Sequence, residues 1–83
     1  MGLTIRQYLR SLDNPVLYKL FKESDLKEEE YNLVVCAFIH KYLVAKTCMQ
    51  LNISKSKYHS MLNEILIKIE YKIKEYDKLR TLN

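Results

Sequence analysis

The chain has 83 residues, 48% hydrophobic and 29% charged, with one Gly and one Pro. That balance excludes a disordered chain, and the near absence of turn-forming residues argues against a sheet. A single all-α domain over residues 1–83 is expected, a small bundle of four to five helices burying roughly 60–65% of its unfolded surface. The longest apolar run, Leu33 to Ile39, has seven residues against the ~20 that a membrane span needs, so no membrane partner is expected.

Thr4-Ile5-Arg6-Gln7 has the pattern of a capping box, with Leu3 and Tyr8 placed as its hydrophobic staple. Ile5, Tyr8, Leu9 and Leu12 then share one stripe, which predicts a first helix ending near Asp13. Asn14 as N-cap and Pro15 at the first helical position restart the chain, and Val16, Leu17, Leu20 and Phe21 are the expected buried face of a second helix.

A third helix is expected to open at Ser24-Asp25, with Asp25 and Glu28 as its box and Glu28-Glu29-Glu30 set against the N-terminal dipole. Three consecutive acids fan out around a helix and cannot converge on one ion, so they predict a charged first turn. From Tyr31 to about Tyr42 the pattern is apolar on nearly every side, as in a central core helix. No Gly or Pro separates Ile39 from Val44, so one continuous helix from Asp25 to Leu51 competes with a break in that interval.

Two cysteines, Cys36 and Cys48, make no disulfide framework, and a reduced cytoplasmic setting is expected. With His40 and His59 they offer four potential zinc ligands, but the spacing lacks the two close pairs of a zinc finger or ribbon. Both cysteines are expected as small core residues. No metal site, cofactor or Gly-rich phosphate loop is read, and no nucleophile sits near an acid or base, so an enzyme is not expected.

Residues 44–63 have the spacing of a helix-turn-helix. Asn52 is suited to a left-handed turn position, Ser54 to the N-cap, and Ile53 with Tyr58 to a staple, which places the start of the next helix at Lys55. From there the 3.6 period sends Tyr58, Met61, Leu62 and Ile65 inward and Lys55, Ser56, Lys57, His59, Ser60 and Asn63 outward. The outward face pairs lysines for phosphates with an amide suited to adenine.

The net charge of +4 belongs wholly to the second half of the chain. Residues 1–42 carry six Lys/Arg and six Asp/Glu, whereas residues 43–83 carry eight and four. No acid occurs between Glu30 and Glu64. A surface that meets phosphates gains from excluding acids.

The last helix is expected over about 55–80, 26 residues and about 39 Å long. Ile65, Ile69, Ile73, Tyr76 and Leu79 continue its inward stripe, with Leu66, Ile67 and Tyr71 on a neighbouring side. So small a domain would leave part of this surface bare, which calls for a cover: the N-terminal helices folded back, or a second copy in coiled-coil fashion. Ile65, Leu66, Ile69, Ile73, Tyr76 and Leu79 are the expected dimer or partner interface.

The run from Lys46 to Tyr58, followed by the long Leu62–Ile69 helix, resembles the helix-turn-helix of sigma-70 region 4. Within that group it is most similar to the ArpU/RinA-type phage regulators of late transcription, with Leu51-Asn52-Ile53-Ser54, a basic residue, Ser56 and Tyr58. It departs from them at Thr47 and Cys48, where an aliphatic residue and Ala are usual. The resemblance implies contacts to double-stranded DNA by Lys55, Ser56, Lys57, His59, Ser60 and Asn63, with Ser54 capping and Lys46 near a phosphate. A dimeric DNA-binding transcription regulator of bacterial, phage or plasmid origin is the leading expectation. The alternative is a protein-interaction module, an adaptor or inhibitor that binds RNA polymerase or another phage or host protein.

Overall fold

A computed structural model describes residues 4–82, with side chains as far as Tyr76. Among the described residues there is no strand. The described residues form five α-helices: α1 (Ile5–Arg10), α2 (Asn14–Glu23), α3 (Glu28–Val34), α4 (Val44–Leu51) and α5 (Lys55–Leu82). No helix among the described residues is long and apolar enough to cross a membrane.

The first cap forms as its residues dictate. The Gln7 amide donates to the Thr4 hydroxyl at 3.2 Å, and the Thr4 amide donates to Gln7 Oε1 at 3.1 Å. Leu3, the expected staple residue, lies outside the described residues. Helix α1 is shorter than expected, ending at Arg10, and of its stripe Leu9 is buried while Ile5 and Leu12 are half-buried and Tyr8 is exposed.

Two other helix starts differ from expectation. The N-cap of α2 is Asp13, so Asn14 and Pro15 fall inside the first turn. Leu17, Leu20 and Phe21 pack inward as expected, but Val16 is 49% exposed because the buried arc of α2 is narrower than its apolar arc. Helix α3 begins at Glu28, not at Ser24-Asp25. Asp25 takes a left-handed conformation (φ 59°) that ends α2, and the buried Ser24 hydroxyl donates to the Leu20 carbonyl. The cap of α3 is closed by Glu30, whose carboxylate accepts from the Lys27 amide at 2.9 Å.

The helical path of α3 widens into a π turn over Val35–Ile39, where the His40 amide donates to the Val35 carbonyl. Then it stops. Lys41 is left-handed (φ 58°), and the Tyr42 amide reaches back to the Cys36 carbonyl at 3.0 Å, a helix-ending reversal stretched by the extra residue of the π turn. The break before Val44 is therefore present, and a continuous helix to Leu51 is not formed.

Helix α5 is the axis of the molecule. Its 28 residues run about 42 Å, against a longest dimension of 45 Å for the whole domain. The other helices fold back onto it, so Leu9, Leu17, Leu20, Phe21, Leu33, Val34, Phe38 and Cys48 form one core with Tyr58, Leu62, Ile65, Leu66 and Ile69. The N-terminal helices are thus the cover for much of α5, and two polar links clamp them to it. The Tyr76 hydroxyl donates to Glu23, and Lys68 Nζ donates to Glu30 at 2.8 Å.

This folding back corrects the expected partner interface. Ile65, Leu66 and Ile69 are consumed by the domain's own core, and Ile73 and Tyr76 are half-buried against it. The Leu79 side chain lies outside the described residues. What α5 leaves bare is Ile67 (68% exposed) and Tyr71 (70% exposed).

Candidate nucleic-acid interface

Helix α4, a three-residue turn and the start of α5 carry Lys46, Lys55 and Lys57 and no acid before Glu64. At the end of α4, Asn52 is left-handed (φ 56°), the Asn52 amide donates to the Met49 carbonyl and the Ile53 amide to the Cys48 carbonyl. This pair of bonds is the Schellman ending, and Asn tolerates its left-handed residue better than most side chains do. Two residues later the Lys57 amide donates to the Ser54 hydroxyl at 3.1 Å, which caps α5. Ile53 is half-buried and Tyr58 buried, so the apolar residues on either side of the cap are both anchored in the core. The angle between α4 and α5 is held by backbone bonds at one end and packing at the other.

With Tyr58 and Leu62 buried, the opposite face of α5 is fixed in solvent. Ser54, Lys55, Ser56, Lys57, His59, Ser60 and Asn63 are all exposed, and so is Lys46 on α4. Ser56, His59, Ser60 and Asn63 fall on one stripe at helical spacing, with Lys55 and Lys57 to either side. Lys46 stands apart, on the preceding helix, with Nζ 4.1 Å from the centre of the Tyr42 ring.

Tyr42 also stacks on His40, ring centres 5.2 Å apart. The segment from His40 to Lys46 therefore carries a small cluster of His40, Tyr42 and Lys46, centred on the Tyr42 ring, that reading the sequence missed. The four-residue spacing of Tyr42 and Lys46 was a usable signal, obscured because the end of the preceding helix could not be placed.

Buried groups elsewhere have settled chemical states. Burial pushes the Cys36 thiol and the Tyr58 phenol above their ordinary values, so both stay protonated near neutrality. Cys36 and Cys48 are free and buried, as expected of small core residues. Among the described residues no three His, Cys, Asp or Glu side chains gather where they could hold a metal ion.

Of the acidic run, Glu28 and Glu29 are exposed but Glu30 is buried. Burial pushes its carboxyl up, but bonds from Lys68 and the Lys27 amide, with the charges of both lysines, outweigh this and hold it below its ordinary value. Beside that ion pair an open cavity of about 950 Å3 lies between residues 22–27 and α5, with Ile67 and Tyr71 among the residues that line it.

No family model, curated protein or solved structure matches the chain.

Proposed function

We propose that the protein is a small DNA-binding transcription regulator that sets the first three turns of α5 into a major groove. The observation that carries this reading is the pairing of a fixed turn with an acid-free face. Asn52 and Ser54 lock the entry of α5, and no acid occurs from residue 31 to residue 63 to oppose phosphate approach. Lys55, Lys57 and Lys46 supply charge toward the backbone, while Ser56, His59, Ser60 and Asn63 offer groups that bond to base edges. The amino end of a helix as long as α5 adds its own positive potential. The likeness of 46–58 to sigma-70 region 4 and the ArpU/RinA-type phage regulators points the same way.

The test separates base contacts from phosphate contacts. Asn63→Ala is expected to relax base preference while leaving non-specific binding intact. Lys57→Ala is expected to weaken binding to every sequence and to lower the salt slope by about one. Identical losses from both changes would refute direct readout by this helix.

One observation favours a protein partner instead. Leu43 (81% exposed) and Met49 (83% exposed) flank Lys46 with bare apolar surface. An adaptor or inhibitor that docks on RNA polymerase or on another phage or host protein would use such side chains, and duplex DNA would not need them.

A further inference from the structure

The outer stripe of α5 is apolar at its centre and oppositely charged at its two ends. Glu64, Ile67, Tyr71 and Lys74 follow one another at spacings of three, four and three, which keeps them on one line along the helix, and all four are exposed. Ile67 and Tyr71 are the bare apolar pair of α5, left over once the N-terminal helices have covered the opposite face.

The order of charges selects the occupant. When a second copy of α5 is laid antiparallel about a two-fold axis level with Ile69, Ile67 lies opposite Tyr71 of the other copy, and Glu64 lies opposite its Lys74. Each contact occurs twice by symmetry. A parallel arrangement would set Glu64 against Glu64 and Lys74 against Lys74. The stripe is self-complementary only when antiparallel.

We infer that two copies of the chain associate through this stripe, with α5 packed antiparallel on α5, and that the pairing competes with DNA. The competition rests on the function proposed above; the pairing does not. Continued toward the start of α5, the same line passes through Ser60 and Lys57, two residues of the proposed DNA face. In the antiparallel pair the last turns of the second helix run alongside them. A protomer in the pair cannot offer that face to a groove, so the DNA-bound form is the monomer and the pair is a store of inactive protein. The contact is a single helix pair with two large apolar residues from each copy, far smaller than a permanent dimer interface, so dilution is expected to dissolve it.

Sedimentation velocity of the full chain across a wide concentration range, without DNA, tests the pairing. A reversible monomer–dimer equilibrium is expected, weakened at least tenfold by Ile67→Glu, a solvent-side change that leaves the core intact. Glu64→Lys alone and Lys74→Glu alone are each expected to weaken association about tenfold, since each turns two attractive pairs into two repulsive ones. The double variant Glu64→Lys/Lys74→Glu is expected to restore it. A chain that stays monomeric at every concentration would overturn the proposal, as would a dimer indifferent to Ile67→Glu. Charge variants that are not rescued in combination would overturn the antiparallel arrangement.

DNA titrations then test the competition. The Ile67→Glu variant is expected to bind duplex DNA at least as tightly as the wild type, with the advantage growing as protein concentration rises. A DNA complex of two protomers that Ile67→Glu disrupts would overturn the competition while leaving the pairing standing. If neither protein binds DNA, the proposed function fails and the sedimentation result stands by itself.

Discussion

Thr47 is fully buried in α4, and its hydroxyl is the only buried side-chain oxygen or nitrogen among the described residues without a hydrogen-bond partner. A buried hydroxyl left unpaired costs about 1–3 kcal/mol in lost hydration. Thr47→Val replaces that hydroxyl by a methyl of nearly the same size, keeps the β-branch, and alters helix propensity little. Allowing for relaxation around the new methyl, the expected gain is about 1 kcal/mol. An 83-residue domain unfolds with an entropy of about 0.17 kcal/mol/K, so the midpoint should rise by about 6 °C. Thr47→Ser is the control, because it keeps the hydroxyl and loses the methyl, and it should cost about 1 kcal/mol. Urea unfolding followed by circular dichroism would read the order Val above Thr above Ser, with the slope unchanged. A Thr47→Val protein no more stable than wild type would refute the reasoning, since it would mean that the hydroxyl has a partner, most simply the Leu43 carbonyl one turn back.

Other expectations concern the backbone and the clamp. The chain's one Gly is at position 2, so Asp25, Lys41 and Asn52 hold left-handed conformations without it. Lys41→Gly should stabilise by up to about 1 kcal/mol, and Asn52→Ala should destabilise by about 1 kcal/mol while Asn52→Gly does not, all measurable by chemical unfolding. Because the fold holds the Glu30 carboxyl below its ordinary value of 4.5, its contribution is complete above that pH and is lost as the pH falls through the lower folded value. Glu30→Gln should therefore flatten the acid limb of a stability–pH profile below about pH 4.5, and an unchanged limb would show that Glu30 is not held by Lys68 and the Lys27 amide. The Tyr76 phenol is pushed up to about 12 by its bond to Glu23, then by burial. Its clamp is complete below the ordinary value of 10 and fails as the pH rises through the folded value. Tyr76→Phe should remove that alkaline loss, read by thermal melts at rising pH.

What was legible in the sequence was local. Thr4 and Gln7 cap each other three residues apart, Asn52 and Ser54 bracket a turn by their own side-chain chemistry, and Tyr58, Leu62 and Ile65 share a face by helical period alone. The exposure of Lys55, Ser56, Lys57, His59, Ser60 and Asn63 follows from that same period. What was illegible depended on distant partners or on unfavourable conformations. Glu30 looks like its neighbours Glu28 and Glu29 until Lys68, 38 residues away, turns it inward. Lys41 ends its helix in a conformation that lysine does not favour, so nothing in its identity marks that stop, while Asp25, which tolerates the left-handed region, suits a helix N-cap equally well, so its identity does not decide between ending α2 and opening α3. Periodicity showed that α5 has more apolar surface than one face requires. It could not show that helices folded back would consume Ile65, Leu66 and Ile69 and leave Ile67 and Tyr71.

The central claim is that the start of α5 reads DNA, and fluorescence anisotropy on duplex DNA tests it most directly. Purified protein would be titrated into the duplex from upstream of its own gene and into a scrambled duplex, each at two salt concentrations. The account predicts tight binding that weakens steeply with salt and clearly prefers the upstream duplex. Equal weak binding to both duplexes, or none at low salt, would contradict it and assign the exposed face of α4 and α5 to a protein partner.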